Sequence, residues 1–418
     1  MTATQENTLF EDLFDVQGYY IKASQKVLNI NTQSHELYLE LEPLSESSCP
    51  SCGRLGNKYR YDSTEQTFYL GSILCKPVYG KLRVYRINCE DCGVLTEKQT
   101  ISDGKCRYSK SIPSMLLQYT KLTDNTSVSI LLGLSKSTVY RMDYAELTKR
   151  LENYADNIPQ LSGIAVDEVA HKTGHNYATI ITNQKDGKVI WVEKDRETKS
   201  LVNAYDRFKG KFSTVNVATM DFWKPYENAT HLCLPGCQII YDRFHLSRIL
   251  NKALEDERRA YQNELSKDER KYIKKHTRWI LLRRYHNFSP YHKDRLEELK
   301  EHNDWLYELY LLKEDFLSIF DEENITKEIA KQLITNWISL VMQKSFESLK
   351  KFAKNLMDRL DKVLSWFDYR ISNGKAEGIN NVIKTILKRG YGYSDFHYFR
   401  LKILQRCGYL MNQPTHTF

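Results

Sequence analysis

Two C-x-x-C pairs, Cys49 with Cys52 and Cys89 with Cys92, limit what this chain can fold into more than any other feature. Each second cysteine is followed by glycine, Gly53 and Gly93. Two thiolates three positions apart can grip one tetrahedral ion only where the chain turns tightly, and glycine supplies the positive φ that such a turn needs. Reduced core cysteines or a redox pair are the alternatives. The recurrence of the knuckle around a hairpin-like stretch of strand residues, TFYL and KLRVYRINC, favours one structural zinc ion held by all four. Cys75, Cys106, Cys233, Cys237 and Cys407 show no comparable pairing, and the C-x-x-x-C of Cys233 and Cys237 reads as buried packing.

At 418 residues the chain exceeds one ordinary core, so two or more domains are expected. No run approaches the roughly 18 to 20 apolar residues of a membrane span, and the opening MTATQENTLFEDLFD is acidic where a signal peptide is basic and then apolar. A cytoplasmic protein without a membrane partner is expected. Residues 1–49 carry two basic and eight acidic side chains, whereas residues 50–150 carry sixteen and nine. That switch points to a polyanionic partner for the second block.

Beyond the cysteines the pattern turns helical. SIPSMLLQYTKLTDNTSVSILLGLSKSTVYRMDYAEL predicts a helix to about Leu122, a short helix over 126–132, a turn at Gly133 and Leu134, and a helix from Ser135. Val128, Leu131, Leu132, Leu134 and Val139 are expected to pack the two short helices into a helix-turn-helix. Ser135, Lys136, Ser137, Thr138 and Arg141 then occupy the positions that meet DNA; an ordinary helical hairpin is the competing reading. Asn153 to Ser162 reads as a linker. GIAVDEVA, NYATIITN and KVIWVEK follow as three strands, then a helix, STVNVATMD, a short helix and CQIIYD. Strand, strand, strand, helix, strand, helix, strand is the element order of the ribonuclease H-like fold.

That order places Asp167 within the first strand and Asp221 at the end of the fourth. A carboxylate inside an apolar strand costs several kcal/mol unless compensated, and a divalent cation is one compensation. Strand alternation sends Asp167 and Glu168 to opposite faces, so Asp167 is favoured for a shared metal site and Glu168 is the weaker candidate. In NGKAEGINNVIKTILKRGYGY, a helix from about Lys375 aligns Glu377, Asn381, Lys384 and Lys388 on one stripe, with Ile379, Val382, Ile383 and Ile386 opposite. Such a stripe fits a metal ligand followed by phosphate-binding lysines, or else a solvated charged face.

The knuckles, the helix-turn-helix, GIAVDE, MDFWKPY, YDRFHL, and NGKAEGINNVIKTILKRGYGY followed by FRLKIL together resemble the ISL-three-type insertion-sequence transposases of bacteria, members of the DDE superfamily. The resemblance covers nearly the whole chain from Cys49 onward. It implies a catalytic triad of Asp167, Asp221 and Glu377 and a mostly helical insertion before the last acid. The expected architecture is therefore α/β and multidomain: an N-terminal arm (1–48), a zinc-binding domain (49–110), a helix-turn-helix domain (111–160), a ribonuclease H-like catalytic domain (161–242), an all-helical insertion (243–366), and the last catalytic part with the acidic helix (367–418). Asp242 and His245 form a D-x-x-H that recurs in related transposases; Asp242 either supports the metal site or caps the following helix.

The implied activity is binding of terminal inverted repeats, then metal-dependent DNA cleavage and strand transfer. Two Mg²⁺ or Mn²⁺ ions roughly 4 Å apart, held by the three carboxylates, would serve both the attacking and the leaving oxygen. Double-stranded DNA, both terminal repeats and target, is the expected partner, met by a homodimer or larger assembly in the bacterial nucleoid. A ribonuclease H-like nuclease without strand transfer and a zinc and helix-turn-helix transcription regulator are the rival classes.

Overall fold

The protein is represented by a computed structural model that describes residues 13–14, 16–30, 33–55, 57–103, 106–174, 176–267, 269–271, 277–371 and 374–411. Two compact units emerge, one of residues 1–157 and 385–418, the other of residues 158–384. The division falls inside a single helix, after Lys384.

The first unit opens with a mixed sheet of β1 (Tyr19–Asn29), β2 (Ser34–Pro43), β3 (Asn57–Ile73), β4 (Lys76–Cys89) and β5 (Gly93–Thr96). Its order is β1-β2-β4-β3, with β5 added to the end of β4; β2 and β4 run parallel and the other pairs antiparallel. Phe14, Val16, Leu39, Leu41, Phe68, Leu70, Val78, Leu82 and Ile101 make one buried cluster, so residues on either side of the first knuckle share a core. The β3–β4 hairpin turns at Leu74 and Cys75, both with positive φ (50° and 60°), as a two-residue hairpin loop demands. Cys75 is accordingly exposed.

Three helices follow: α1 (Ile112–Leu122), α2 (Asn125–Leu132) and α3 (Lys136–Leu151). Asp124 caps α2, accepting from the backbone N–H of Thr126 and Ser127, and Ser135 caps α3, accepting from that of Thr138. Gly133 ends α2 at φ 65°, where a Cβ would stand 2.5 Å from Pro77 Cγ. No other residue fits that turn without moving β4. Val128, Leu132 and Val139 are buried together as the sequence leads one to expect, but Leu131 is 41% exposed. It lies one position short of the four-residue spacing that puts Val128 and Leu132 on the same stripe.

The C-terminal helix α14 (Phe396–Cys407) packs on α1 and α3. A buried polar network accounts for much of the join. Asp143 of α3, fully buried, accepts from Thr120 Oγ1 (2.5 Å), Tyr398 Oη (2.6 Å) and Lys402 Nζ (3.1 Å). Lys402 also donates to the carbonyl of Thr120, and Gln405 to that of Leu117. Burial pushes the Lys402 ammonium below its ordinary pKa, and the charge of Asp143 opposes that shift.

The stretch 153–162, expected as a linker, contains the division between the two units after Asn157, and it carries buried side chains. Tyr154, Ile158 and Leu161 are each 1% exposed, and the Tyr154 hydroxyl accepts from the backbone N–H of Tyr409. Three large apolar side chains within eight positions have more to gain by docking than a spacer has.

In the second unit β6 (Gly163–Lys172), β7 (Asn176–Asn183) and β8 (Val189–Lys194) form an antiparallel meander, and β9 (Val217–Met220) and β10 (Gln238–Tyr241) add parallel to β6. The strand order is β10-β9-β6-β7-β8. Runs such as GIAV, ATIIT and VIWV are apolar on both faces because the sheet is covered: α4 (Thr198–Arg207) packs on β8 and on α5 (Lys224–Cys233), and a later helix covers β10.

Within residues 243–369 the described helices include that one, α12 (Leu360–Tyr369), preceded by α6 (Arg243–Glu264), α7 (Arg278–Leu282), α8 (Pro290–His302), α9 (Asp304–Ser318), α10 (Lys327–Met342) and α11 (Glu347–Met357). No strand interrupts them among the described residues. α12 covers β10, where Ser365 Oγ donates to the carbonyl of Ile239 and Lys362 pairs with the buried Glu227 of α5. The acidic helix α13 (Gly374–Arg389) comes next, with Ile383 and Ile386 buried and Glu377, Asn381, Lys384 and Lys388 on the more open side. The stripe read from the sequence is present.

Candidate active site and metal centres

The carboxyl ends of the adjacent parallel strands β10, β9 and β6 bring three acids to one edge of the sheet. Asp167 lies on β6, Asp221 follows β9, and Asp242 follows β10 as the cap of α6, where its side chain accepts from the backbone N–H of Phe244 (3.2 Å). His245 stands in the first turn of α6. Asp167, Asp221 and His245 each offer a ligand atom, and all three atoms lie within 4.8 Å of one another.

Asp167 is fixed on both oxygens: Oδ1 accepts from the backbone N–H of Glu168 (2.7 Å) and Oδ2 from Asn380 Nδ2 (2.6 Å). Its pKa is pushed up to about 6, chiefly by burial and then by the charge of Asp221. Burial also raises that of Asp242. Two carboxylates this close and this dry call for a cation between them. Asp221 Oδ1 is buried, with His245 Nε2 2.6 Å away. Arg248 Nη2 lies 2.7 Å from His245 Nδ1. A guanidinium only donates, so Nδ1 accepts and the ring proton belongs on Nε2, facing Asp221. In this tautomer His245 presents an N–H to the carboxylate of Asp221.

Glu377 lines the same cavity, about 630 Å³, together with Asp167, Glu168, Asp221, Asp242, Asn380 and Lys384. It is exposed and stands outside the tight group of three. Strand alternation predicts that Glu168 points away. It reaches the cavity wall as well, but its carboxylate is engaged by Arg196. Asn380 carries no signal in the sequence, although it falls one helical turn after Glu377 on α13 and its amide is what reaches Asp167. Lys384 lines the cavity, whereas Lys388 lies one turn further on. Ser135, Lys136, Ser137, Thr138 and Arg141 gather at the start of α3, with the Ser135 hydroxyl committed to capping.

A second centre gathers Cys49, Cys52, Cys89 and Cys92, whose sulfurs lie within 4.8 Å of one another, Cys52 and Cys89 at 3.5 Å. Gly53 and Gly93 both have φ 76°, the positive value expected of the knuckles. Gly53 N–H donates to the carbonyl of Cys49, and Arg54 and Asp91 pair across the two knuckles at 2.7 Å. The backbone N–H of Cys52 lowers the Cys49 thiol, while sharing hydrogen bonds with Cys52 raises that of Cys92. The Cys49 thiolate forms readily while Cys52 and Cys92 resist ionisation, as expected of clustered thiols that a cation would neutralise. Cys237 and Cys407 are buried, which pushes both thiols up to about 11, and neither belongs to a cluster. Chelation of the full chain is expected to release one zinc per molecule and unfold the β3–β5 region, since such sites hold their metal with on the order of 10 kcal/mol. Metal analysis beside circular dichroism checks this, and an intact fold with no zinc present refutes it.

Among the described residues, no helix is long and apolar enough to cross a membrane. A family described as Transposase, the DDE transposases of ISL3 type, matches residues 164–403, more than half of the chain. Asp167, Asp221, Asp242, His245 and Glu377 lie inside the match and the four-cysteine centre outside it. The chain is 27% identical over 322 residues to the transposase for insertion sequence element IS1001 of Bordetella parapertussis, covering 76% of this chain and 78% of that one. It is 21% identical over 276 residues to the transposase for IS1557 of Mycobacterium tuberculosis, 60% of each. A solved Drosophila P element transposase strand transfer complex aligns over 73% of this chain and 92% of that chain, at 12% identity and a TM-score of 0.35. The family match, spread across every acid of the sheet edge and on through α13, settles the assignment: this chain belongs to the ISL3-type family of DDE transposases.

Proposed function

We propose that this transposase binds the terminal inverted repeats of an insertion sequence and carries out metal-dependent cleavage and strand transfer with Asp167, Asp221 and Glu377. The observation that carries the reading is the pairing of Asp167 and Asp221, each just beyond the last paired residue of the neighbouring parallel strands β6 and β9, with ligand atoms close enough to share a cation. The order β10-β9-β6-β7-β8, with a three-stranded meander and two parallel additions, supports a ribonuclease H-like catalytic domain interrupted by the helices of 243–366.

Magnesium or manganese ions, two in number, suit an all-oxygen donor set of this kind, and when bound they supply Lewis acidity to the attacking and leaving oxygens of the phosphodiester. Asp167 and Asp221 hold one wall of the site. Asn380 fixes the rotamer of Asp167, and Glu377, at the exposed start of α13, closes from the opposite wall. Asp242 and His245 orient the edge of the sheet, and Lys384 and Lys388 follow the DNA backbone away from it. The four cysteines take one Zn²⁺.

The reader of the repeats is the segment 49–160, with Ser135, Lys136, Ser137, Thr138 and Arg141 at its DNA-facing end, and the working assembly on bacterial DNA is a homodimer or larger. Incubating the protein with DNA flanking its own coding sequence and Mg²⁺, then mapping ends and joints, tests the activity. Cleavage without joining would reduce it to a nuclease, and binding without cleavage to a regulator. Lys136→Ala and Arg141→Ala are each expected to weaken binding of that DNA by about 1–3 kcal/mol, with a shallower salt dependence where the lost contact is to phosphate. Equilibrium titrations at several salt concentrations check it, and unchanged affinity and slope in both variants would move the reader elsewhere.

A further inference from the structure

The wall of the catalytic cavity continues past Glu168 into a second recess of about 510 Å³, with Tyr177 lining both. Arg196 occupies the junction. Its guanidinium carbon is 4.1 Å from the centre of the Tyr177 ring and 4.4 Å from that of Trp223, so the cation packs against two aromatic rings. Nη1 donates to Glu168 at 3.1 and 3.3 Å. The backbone is held as firmly. Trp223 Nε1 donates to the carbonyl of Arg196 (2.8 Å), and the preceding Asp195 takes φ 66°, a left-handed conformation costly for a residue with a side chain. Thr179 Oγ1 and the carbonyl of Tyr177 fix that kink through the carbonyl and N–H of Asp195.

This is much restraint for one half-buried side chain, and it leaves something unused. Among the described residues, Nε and Nη2 of Arg196 make no hydrogen bond, and the side chain is 31% exposed. Two aromatic rings already pack against the guanidinium, their centres 4.1 and 4.4 Å from its carbon. What remains is a planar edge of two N–H donors, the shape that matches two oxygens of a phosphodiester.

We propose that Arg196 is a substrate-binding residue that holds a DNA phosphate close to the one cleaved, with Tyr177, Trp223 and Glu168 as its positioning residues. The inference rests on the transposase reading of the neighbouring carboxylates. It also explains the place of Glu168, whose charge offsets that of Arg196 and aims the fork, so recognition depends on direction more than on net charge. A lysine at this position keeps the charge and loses the fork.

The test uses the full chain and duplexes made from its own flanking DNA, in which single phosphates near the cleaved bond are replaced by uncharged methylphosphonates. Arg196→Met keeps an unbranched stem against the rings, and Arg196→Lys keeps a charged one; thermal melting checks both folds, and the lysine variant carries the test alone if the methionine variant does not fold. Each is expected to cleave on the order of 10- to 100-fold more slowly than wild type, the worth of one or two lost charge-assisted hydrogen bonds. At one phosphate the methylphosphonate should slow wild type by a similar factor and slow the folded variant no further, because the contact is already gone. A merely structural arginine would leave every phosphate penalty the same in variant and wild type, and that result, or cleavage at the wild-type rate, overturns the proposal. Wild-type protein that leaves all ends intact would defeat the transposase reading of this DNA, and this inference with it.

Discussion

Asp167→Asn, Asp221→Asn and Glu377→Gln are each expected to lower Mg²⁺-dependent nicking of a labelled terminal duplex by roughly 10³-fold or more, with strand transfer lost in parallel. Each substitution keeps the shape of the side chain and removes a charge that a divalent cation needs. For the two aspartates the structure adds a second expectation. Burial and the charge of its neighbour already push Asp167 up to about 6, so Asp221→Asn relieves repulsion and should leave the metal-free protein as stable as wild type, or more so. Lost activity beside an undiminished melting temperature separates a metal site from a structural one. Binding of the terminal duplex should persist in all three variants, since the helix-turn-helix is the proposed reader of that DNA, and each should interfere with wild-type protein by occupying ends. Near wild-type nicking by any one of the three would remove that residue from the triad. Glu377 is the most exposed to this outcome, because it lines the cavity without joining the tight group, and the search would then pass to Asp242.

Asp143→Ala is expected to destabilise the first unit by about 3–5 kcal/mol, the usual cost of stranding one partner of a buried ion pair. Asp143 is fully buried and accepts three side-chain hydrogen bonds, and its loss leaves the Tyr398 hydroxyl without this acceptor and the buried Lys402 ammonium without its counter-charge, with the Thr120 carbonyl still in place. Asp143→Leu combined with Lys402→Met removes both charges and should recover much of the loss. Denaturant titration of the full chain measures both. A change under about 1 kcal/mol for the single variant would mean that water or a neighbouring group takes the place of the carboxylate.

The sequence made some of this architecture legible because chemistry and period coincide there. Paired cysteines with a glycine behind each leave few alternatives to a tetrathiol site, and the caps Asp124 and Ser135 with Gly133 mark the helix-turn-helix to within a residue. Asp167 stands out as a charge in an apolar strand. Other features were not legible, for physical reasons. Asn380 reaches Asp167 through tertiary contact, and an asparagine on a helix gives no hint of its partner. Strand alternation places Asp167 and Glu168 on opposite faces, but a long side chain just past the point where β9 ends can still reach the wall of the same cavity, as Glu168 does. The engagement of Arg196 by Tyr177 and Trp223 joins three residues from separate elements, and no spacing announces it. Tyr154, Ile158 and Leu161 read as linker because Pro159 and the polar residues around them mask three buried side chains.

Because α14 completes the packing of α1 and α3, the part of the protein expected to read DNA is finished last. Asp143 leaves the ribosome 259 residues before Lys402 and 255 before Tyr398, so until α14 arrives a buried carboxylate and the faces of two helices have no cover. A nascent or prematurely terminated chain therefore carries its helix-turn-helix in an unfinished state. Frameshifts and stop codons anywhere between should yield products that cannot hold DNA stably, and so should not act as trans inhibitors of an intact copy. Circular permutation that joins residues 385–411 directly to the N-terminal segment offers a way to make the reader fold alone, and a measure of how much of its stability arrives with the last helix.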